Sequence, residues 1–159
     1  MQSHTWIFSL TAPISADNRS SLMRAFEAFQ AQWQSHGTPV NGLIQVKHDR
    51  FVVIQAKADE SRPSGCSIDS LRRGVTTILQ QHRLTWLEGG EVFYRTEADE
   101  IEMVHFQHIP SLVANGTLTA DTTVFDHSLS HTDDLNKWEV PMSSTWMKRY
   151  LPSDEKQKV

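Results

Sequence analysis

The chain has a single cysteine, Cys66, so no internal disulfide can form. That usage fits a protein kept in a reducing compartment, and cytoplasm is the expected location. Long apolar runs are also missing. Trp6 to Leu10 is only a strand's length, Pro13 follows it, and no basic leader precedes it; neither export nor a membrane anchor is predicted. Positive charge is in short supply, with 15 Lys and Arg against 19 Asp and Glu and a net charge of −4. Without a basic field, neither nucleic acid nor a membrane surface is an expected partner. There is no G-x-x-x-x-G-K-[ST] loop to cradle phosphates, and no cofactor is expected. Internal repeats and low-complexity segments are absent too. Five Trp and seven Phe must therefore supply much of the core in a chain that is 38% apolar.

The 159 residues are the length of one α+β domain, able to bury roughly two thirds of the unfolded surface. Trp6, Phe8 and Leu10 alternate as a strand does. Leu22, Ala25, Phe26, Phe29 and Trp33 then recur at steps of three and four, predicting a helix capped by Ser15 or Asp17 and stopped at His36-Gly37. Leu43 to Val46 and Phe51 to Ile54 read as a hairpin around Lys47 to Arg50. Ile68, Leu71, Val75, Ile78 and Leu79 mark a second helix, within which Gly74 is a weak point. Leu84 to Leu87 and Val92 to Tyr94, around Gly89-Gly90, supply one or two more strands.

Residues 1–96 are thus expected to form a ferredoxin-like βαββαβ core, with both helices on one face of an antiparallel sheet. Residues 97–151 are expected to form a smaller C-terminal α+β extension packed on it. It would hold a solvated turn at Glu97 to Glu100, strands at Ile101 to His105 and Asp121 to Phe125, and a short helix at Pro110 to Ala114 closed by Asn115-Gly116. Residues 152–159 are a polar tail expected to fray.

Two resemblances cover this chain. Ser64-Gly65-Cys66-Ser67-Ile68-Asp69-Ser70, together with Phe29-x-x-x-Trp33-x-x-His36-Gly37, Asp121-Thr122-x-Val124-Phe125-Asp126, Trp138-x-Val140-Pro141 and Trp146, resembles an uncharacterised family of small bacterial proteins. Some of its members are labelled ABC-transporter ATPases, a label that the missing phosphate loop argues against here. The resemblance implies a shared fold and a shared site around Cys66, and brings no activity with it. Phe106-x-x-Ile109-Pro110-x-Leu112-Val113-x-x-Gly116-x-Leu118-x-x-Asp121-Thr122-x-Val124-Phe125, within 104–126, is similar to small GYF-like modules, some of which bind proline-rich peptides. The Gly-Tyr-Phe signature of the peptide-binding members is missing.

Cys66 is the sharpest candidate for chemistry. It falls where a glycine-bearing loop enters the second helix, a place that favours a thiolate. The βαββαβ order brings His36 to the same edge as a base, with Asp69 as its orienter and the Ser67 and Ile68 amides as oxyanion donors. Against this, cysteine is commonly buried, Ser64 or Ser67 can simply cap the helix, and Asp69 suits a first turn for dipole reasons alone. Cys66 to Arg72 also fits C-x5-R, but Asp69 within that loop would repel phosphate. His105-x-x-His108 and His127-x-x-x-His131 give histidine pairs, not a zinc set, and no metal site is assigned. Trp138, Pro141 and Trp146, in a loop-rich end, are the candidate recognition surface. The function expected is a non-enzymatic module that binds a protein or peptide, or itself. A thiol-dependent enzyme using Cys66 is the alternative.

Overall fold

A computed structural model describes residues 2–34, 40–58, 65–87, 89–128 and 135–153. The fold is mixed α+β, with two antiparallel sheets and three α-helices among the described residues. The chain divides into two compact units, 1–87 with 130–133, and 88–129 with 134–159.

In the first unit, β1 (Gln2–Ser9), β2 (Val40–Lys47) and β3 (Phe51–Ala58) form a sheet in the order β1-β3-β2. The central place of β3 explains its unbroken apolar run, since Phe51, Val52, Val53 and Ile54 are all 0% exposed. His48 and Asp49 both take positive φ, 56° and 54°, and Arg50 N–H closes the turn on the Lys47 carbonyl at 3.1 Å. Two such residues in succession match the twist of the flanking strands.

Helix α1 (Ala16–Gln34) starts at Ser15, whose Oγ accepts the Asn18 N–H at 3.2 Å. Its stripe buries Leu22 and Phe26 against the sheet, with Met23, Ala25 and Phe29 partly buried beside them. Helix α2 (Gly65–Gln81) buries Leu71, Val75, Ile78 and Leu79 in the same core. At Gly74 the helices meet closely: a Cβ there would run into the Phe29 ring. The glycine that weakens α2 in isolation thus admits an aromatic ring from α1. At the far end of α2 the His82 imidazole bridges Ser21 Oγ at 3.0 Å and the Ile78 carbonyl at 2.8 Å, tying the two helices together.

After α2, Leu84 to Leu87 runs beside β1. Thr11 N–H donates to the Thr85 carbonyl at 3.0 Å and Leu87 N–H to the Ser9 carbonyl at 2.8 Å, around a single Leu10–Trp86 antiparallel bridge.

The second unit begins with β4 (Glu91–Arg95), which the sequence reading groups with residues 1–96. It instead pairs with β5 (Ile101–His105) on one side and β6 (Thr123–Phe125) on the other, with β7 (Glu139–Pro141) outside β6. Local geometry accounts for this. Gly89 and Gly90 turn the chain at φ 125° and 87° just before β4, and β5 follows after a turn of only five residues, 96–100. The expected boundary after residue 96 therefore falls inside a hairpin. Helix α3 (Ile109–Ala114) ends at Asn115, with Gly116 at φ 83°. Its Ile109 packs with Val92, Tyr94, Leu118, Val124, Met142, Met147 and Leu151 in a separate core. Residues 154–159 of the tail expected to fray lie outside the described residues. No described helix is long and apolar enough to cross a membrane.

Candidate functional site

The second unit carries a groove of about 760 Å³. One wall is the β4–β5 hairpin, with Arg95 to Asp99 and Glu102. The other is the chain leaving α3, with Asn115 to Thr117, Thr119 and Asp121 to Thr123. Tyr94 joins the two. Its ring belongs to the core, with 5% of the residue exposed, while its hydroxyl donates to Glu102 Oε2 at 3.1 Å. Burial, and then the Glu102 carboxylate, push this phenol above its ordinary range, so it stays a neutral donor at physiological pH.

The hairpin wall is shaped by its turn. Asp99 takes a positive φ of 62°, its N–H donates to the Thr96 carbonyl at 2.9 Å, and Thr96 N–H donates to the Glu100 carbonyl at 2.8 Å. The opposite wall is held by short side-chain contacts. Asn115 Oδ1 accepts the Thr117 N–H at 2.9 Å, and Thr122 Oγ1 accepts the Thr119 N–H at 2.9 Å.

Among the described residues, Glu97, Asp99, Glu102 and Asp121 line the groove together with one basic residue, Arg95. Arg95 is shared between the groove, where its Nη1 lies 3.4 Å from Asp99 Oδ1, and β7. Its Nε and Nη2 both lie 3.1 Å from Glu139 Oε2 on β7, and its guanidinium carbon sits 5.6 Å from the Phe125 ring centroid. Residues 94 and 95 alternate across the sheet, so the arginine leans to the face opposite Tyr94. Among the described residues that line it there is no histidine, cysteine or lysine, the groups that most often serve as base or nucleophile near neutral pH.

Cys66 falls in the first turn of α2 and Asp69 just beyond it. Their side chains, and the whole of His36, lie outside the described residues, so the trio has no geometry to compare. Trp138 departs from the expected recognition surface. It is 2% exposed, packed edge-on against Phe125 at 5.2 Å and against His127 at 6.1 Å between ring centroids. A large aromatic beside a three-residue strand is used here for packing. Pro141 is exposed at the end of β7, an edge strand where its missing N–H costs no ladder bond. Trp146 is 39% exposed, with the Arg149 guanidinium 5.6 Å from its ring centroid and Tyr150 at 6.2 Å.

His127 of the expected histidine pairs stacks on Phe93 at 5.9 Å and donates its Nδ1 proton to the Phe125 carbonyl at 3.1 Å; His131 lies outside the described residues. Among the described residues no three His, Cys, Asp or Glu converge as a metal site would require.

Compared with protein-family models, with curated proteins and with solved structures, the chain matches none. The groove itself went unread in the sequence. Glu97 to Glu100 reads as a solvated turn, and the run of threonines at 117, 119, 122 and 123 carries no motif. The one available signal was the pairing of a glycine-closed short helix with a hydroxyl-rich segment opposite an acidic hairpin.

Proposed function

We propose that this chain is a non-enzymatic cytoplasmic binding module that captures a protein or peptide segment in the groove of its second unit. The observation that carries this reading is the groove's size and lining: about 760 Å³, walled by threonines, an asparagine and acidic residues, with no histidine, cysteine or lysine among the described residues. Such a surface offers many hydrogen-bond partners and few catalytic ones. The ββαββ order of the second unit also supports the GYF-like reading of residues 104–126. In the first unit, the placing of residues 84–87 beside β1 in a β1-β3-β2 sheet supports a ferredoxin-like sandwich whose fourth strand is reduced to one bridge.

The test is a peptide-display selection on the intact chain, followed by two-dimensional NMR of the selected peptides. Peptides binding as proposed shift the amides of residues 94–102 and 115–123. They lose about tenfold or more in affinity when the exposed Thr117 is changed to Trp to fill the groove. A selection that yields peptides moving only amides elsewhere, or none at all, overturns the proposal.

A further inference from the structure

We infer that His105 is a pH-operated latch: neutral, it caps the one-turn helix Phe106–His108; protonated, it lets that cap go and turns to the buried carboxylate of Glu91. The inference stands apart from the groove and does not depend on the binding-module reading.

His105 ends β5 and opens the one-turn helix, and its Nδ1 accepts the Gln107 N–H at 3.3 Å. A ring nitrogen accepts only while it carries no proton, so this cap selects the neutral imidazole with its proton on Nε2. Gly90 leaves room for the ring, since a Cβ there would come within 3.1 Å of Nε2. The Phe106 ring flanks it at 4.6 Å between centroids.

The other partner lies on the paired strand. Phe106 N–H donates to the Gly90 carbonyl at 2.8 Å, which makes 90 and 106 a hydrogen-bonded pair and leaves Glu91 and His105, the next pair, as the closer, non-hydrogen-bonded kind. Glu91 Oε2 is buried and accepts no hydrogen bond from any described residue. Such an oxygen is costly, and an imidazolium opposite it, with both nitrogens donating, can satisfy it. A single protonation therefore removes the acceptor for Gln107 and creates the donor for Glu91. Gln107 is exposed, so its freed N–H passes to water. Ile109, 0% exposed, holds α3 in place and confines the change to the turn.

Among the described residues, the titratable groups facing His105 are Glu91 on β4 and His108 on the one-turn helix, the latter 6.4 Å away between ring centroids. Glu91 favours the charged ring. A charged His108 opposes it, but His108 is exposed and that repulsion is screened by water.

The experiment is NMR of the intact chain titrated from about pH 8 to 5, the range in which imidazoles change charge. It is read on the His105 ring nitrogens, the Gln107 amide and the Glu91 carboxyl carbon. All three are expected to move with one midpoint. Protection of the Gln107 amide, corrected for the intrinsic pH dependence of exchange, should fall about fivefold, as loss of a cap implies. His105→Asn, which caps without titrating, should abolish the Gln107 response. Glu91→Gln should move the midpoint to lower pH by about half a pH unit or more, because the carboxylate no longer supports the charged ring, whereas His108→Gln should not lower it.

A Gln107 amide that ignores pH, or that responds equally in His105→Asn, overturns the latch. So do separate midpoints for His105 and Gln107, or a midpoint that Glu91→Gln leaves in place.

Discussion

The two units spend their residues differently. In the first, strands of eight residues and helices of 17 and 19 residues form layers, and Leu22, Phe26, Val52, Ile54, Leu71, Val75 and Leu79 are each 1% exposed or less. In the second, strands of three to five residues are joined by turns and one-turn helices, and Tyr94 and Glu102 turn polar atoms toward a groove. Long regular elements satisfy their own backbone and leave side chains to pack. Short ones need side-chain caps, and those caps leave polar walls that a ligand can use.

The comparison breaks most visibly at Phe26. It is 1% exposed in the first core, so Phe26→Ala should destabilise that unit by about 3 to 5 kcal/mol, as losses of a buried ring do. Denaturant unfolding read on hydrogen exchange of the β3 amides checks it. A loss under about 1 kcal/mol would mean that α1 is not anchored by its stripe.

Gly74 sharpens the comparison next. In a free helix Gly74→Ala would gain up to about 1 kcal/mol. Here a Cβ would meet Phe29 Cζ and Cε2, so the ring must move and a net loss of about 1 to 3 kcal/mol is expected. The double variant Gly74→Ala with Phe29→Leu should recover part of that loss. A stabilised single variant would show that the helices are looser than this close approach implies.

The same residue shows why sequence and structure part. The apolar stripes of α1 and α2 and the β3 run were legible because burial imposes period and composition. Gly74 was read as a helix weakness because a sequence window cannot see the ring from α1. Val92 to Tyr94 reads as a strand, but a strand's pattern states its burial and not its partner. β7 escaped because three residues ending in Pro141 have no period to detect. The groove escaped for a related reason: its walls come from two turns some fifteen residues or more apart in sequence, each ordinary by itself.

In the second unit, pH provides a gentler probe. Burial holds the His127 imidazole below its ordinary value, outweighing the Phe125 carbonyl and Asp126, which both favour the charged form. The unfolded chain therefore binds this proton more readily than the folded one. Stability should fall as pH drops below about 6.5, by at most about 1.4 kcal/mol per pH unit, and level off once the folded imidazole also protonates. Above that range the histidine contributes no slope. A His127→Phe variant, which retains a ring to stack on Phe93, should lose this component of the slope between about pH 5 and 6.5. An unchanged slope would place the acid sensitivity in other groups.

The smallest effect belongs to the end of α2. Arg83 closes that helix at φ 58°, with Leu84 N–H donating to the Leu79 carbonyl at 2.9 Å, a left-handed ending that glycine usually supplies. The arginine is exposed, so replacing it removes little packing. Arg83→Gly should stabilise the first unit by up to about 1 kcal/mol, the strain of a non-glycine residue in this conformation less the added freedom of the unfolded chain. Thermal unfolding should register this as a rise of a few degrees at most. If stability falls instead, the arginine side chain is contributing to the first unit after all. The contrast would then narrow, because even the regular unit would depend on a polar residue at the close of its second helix.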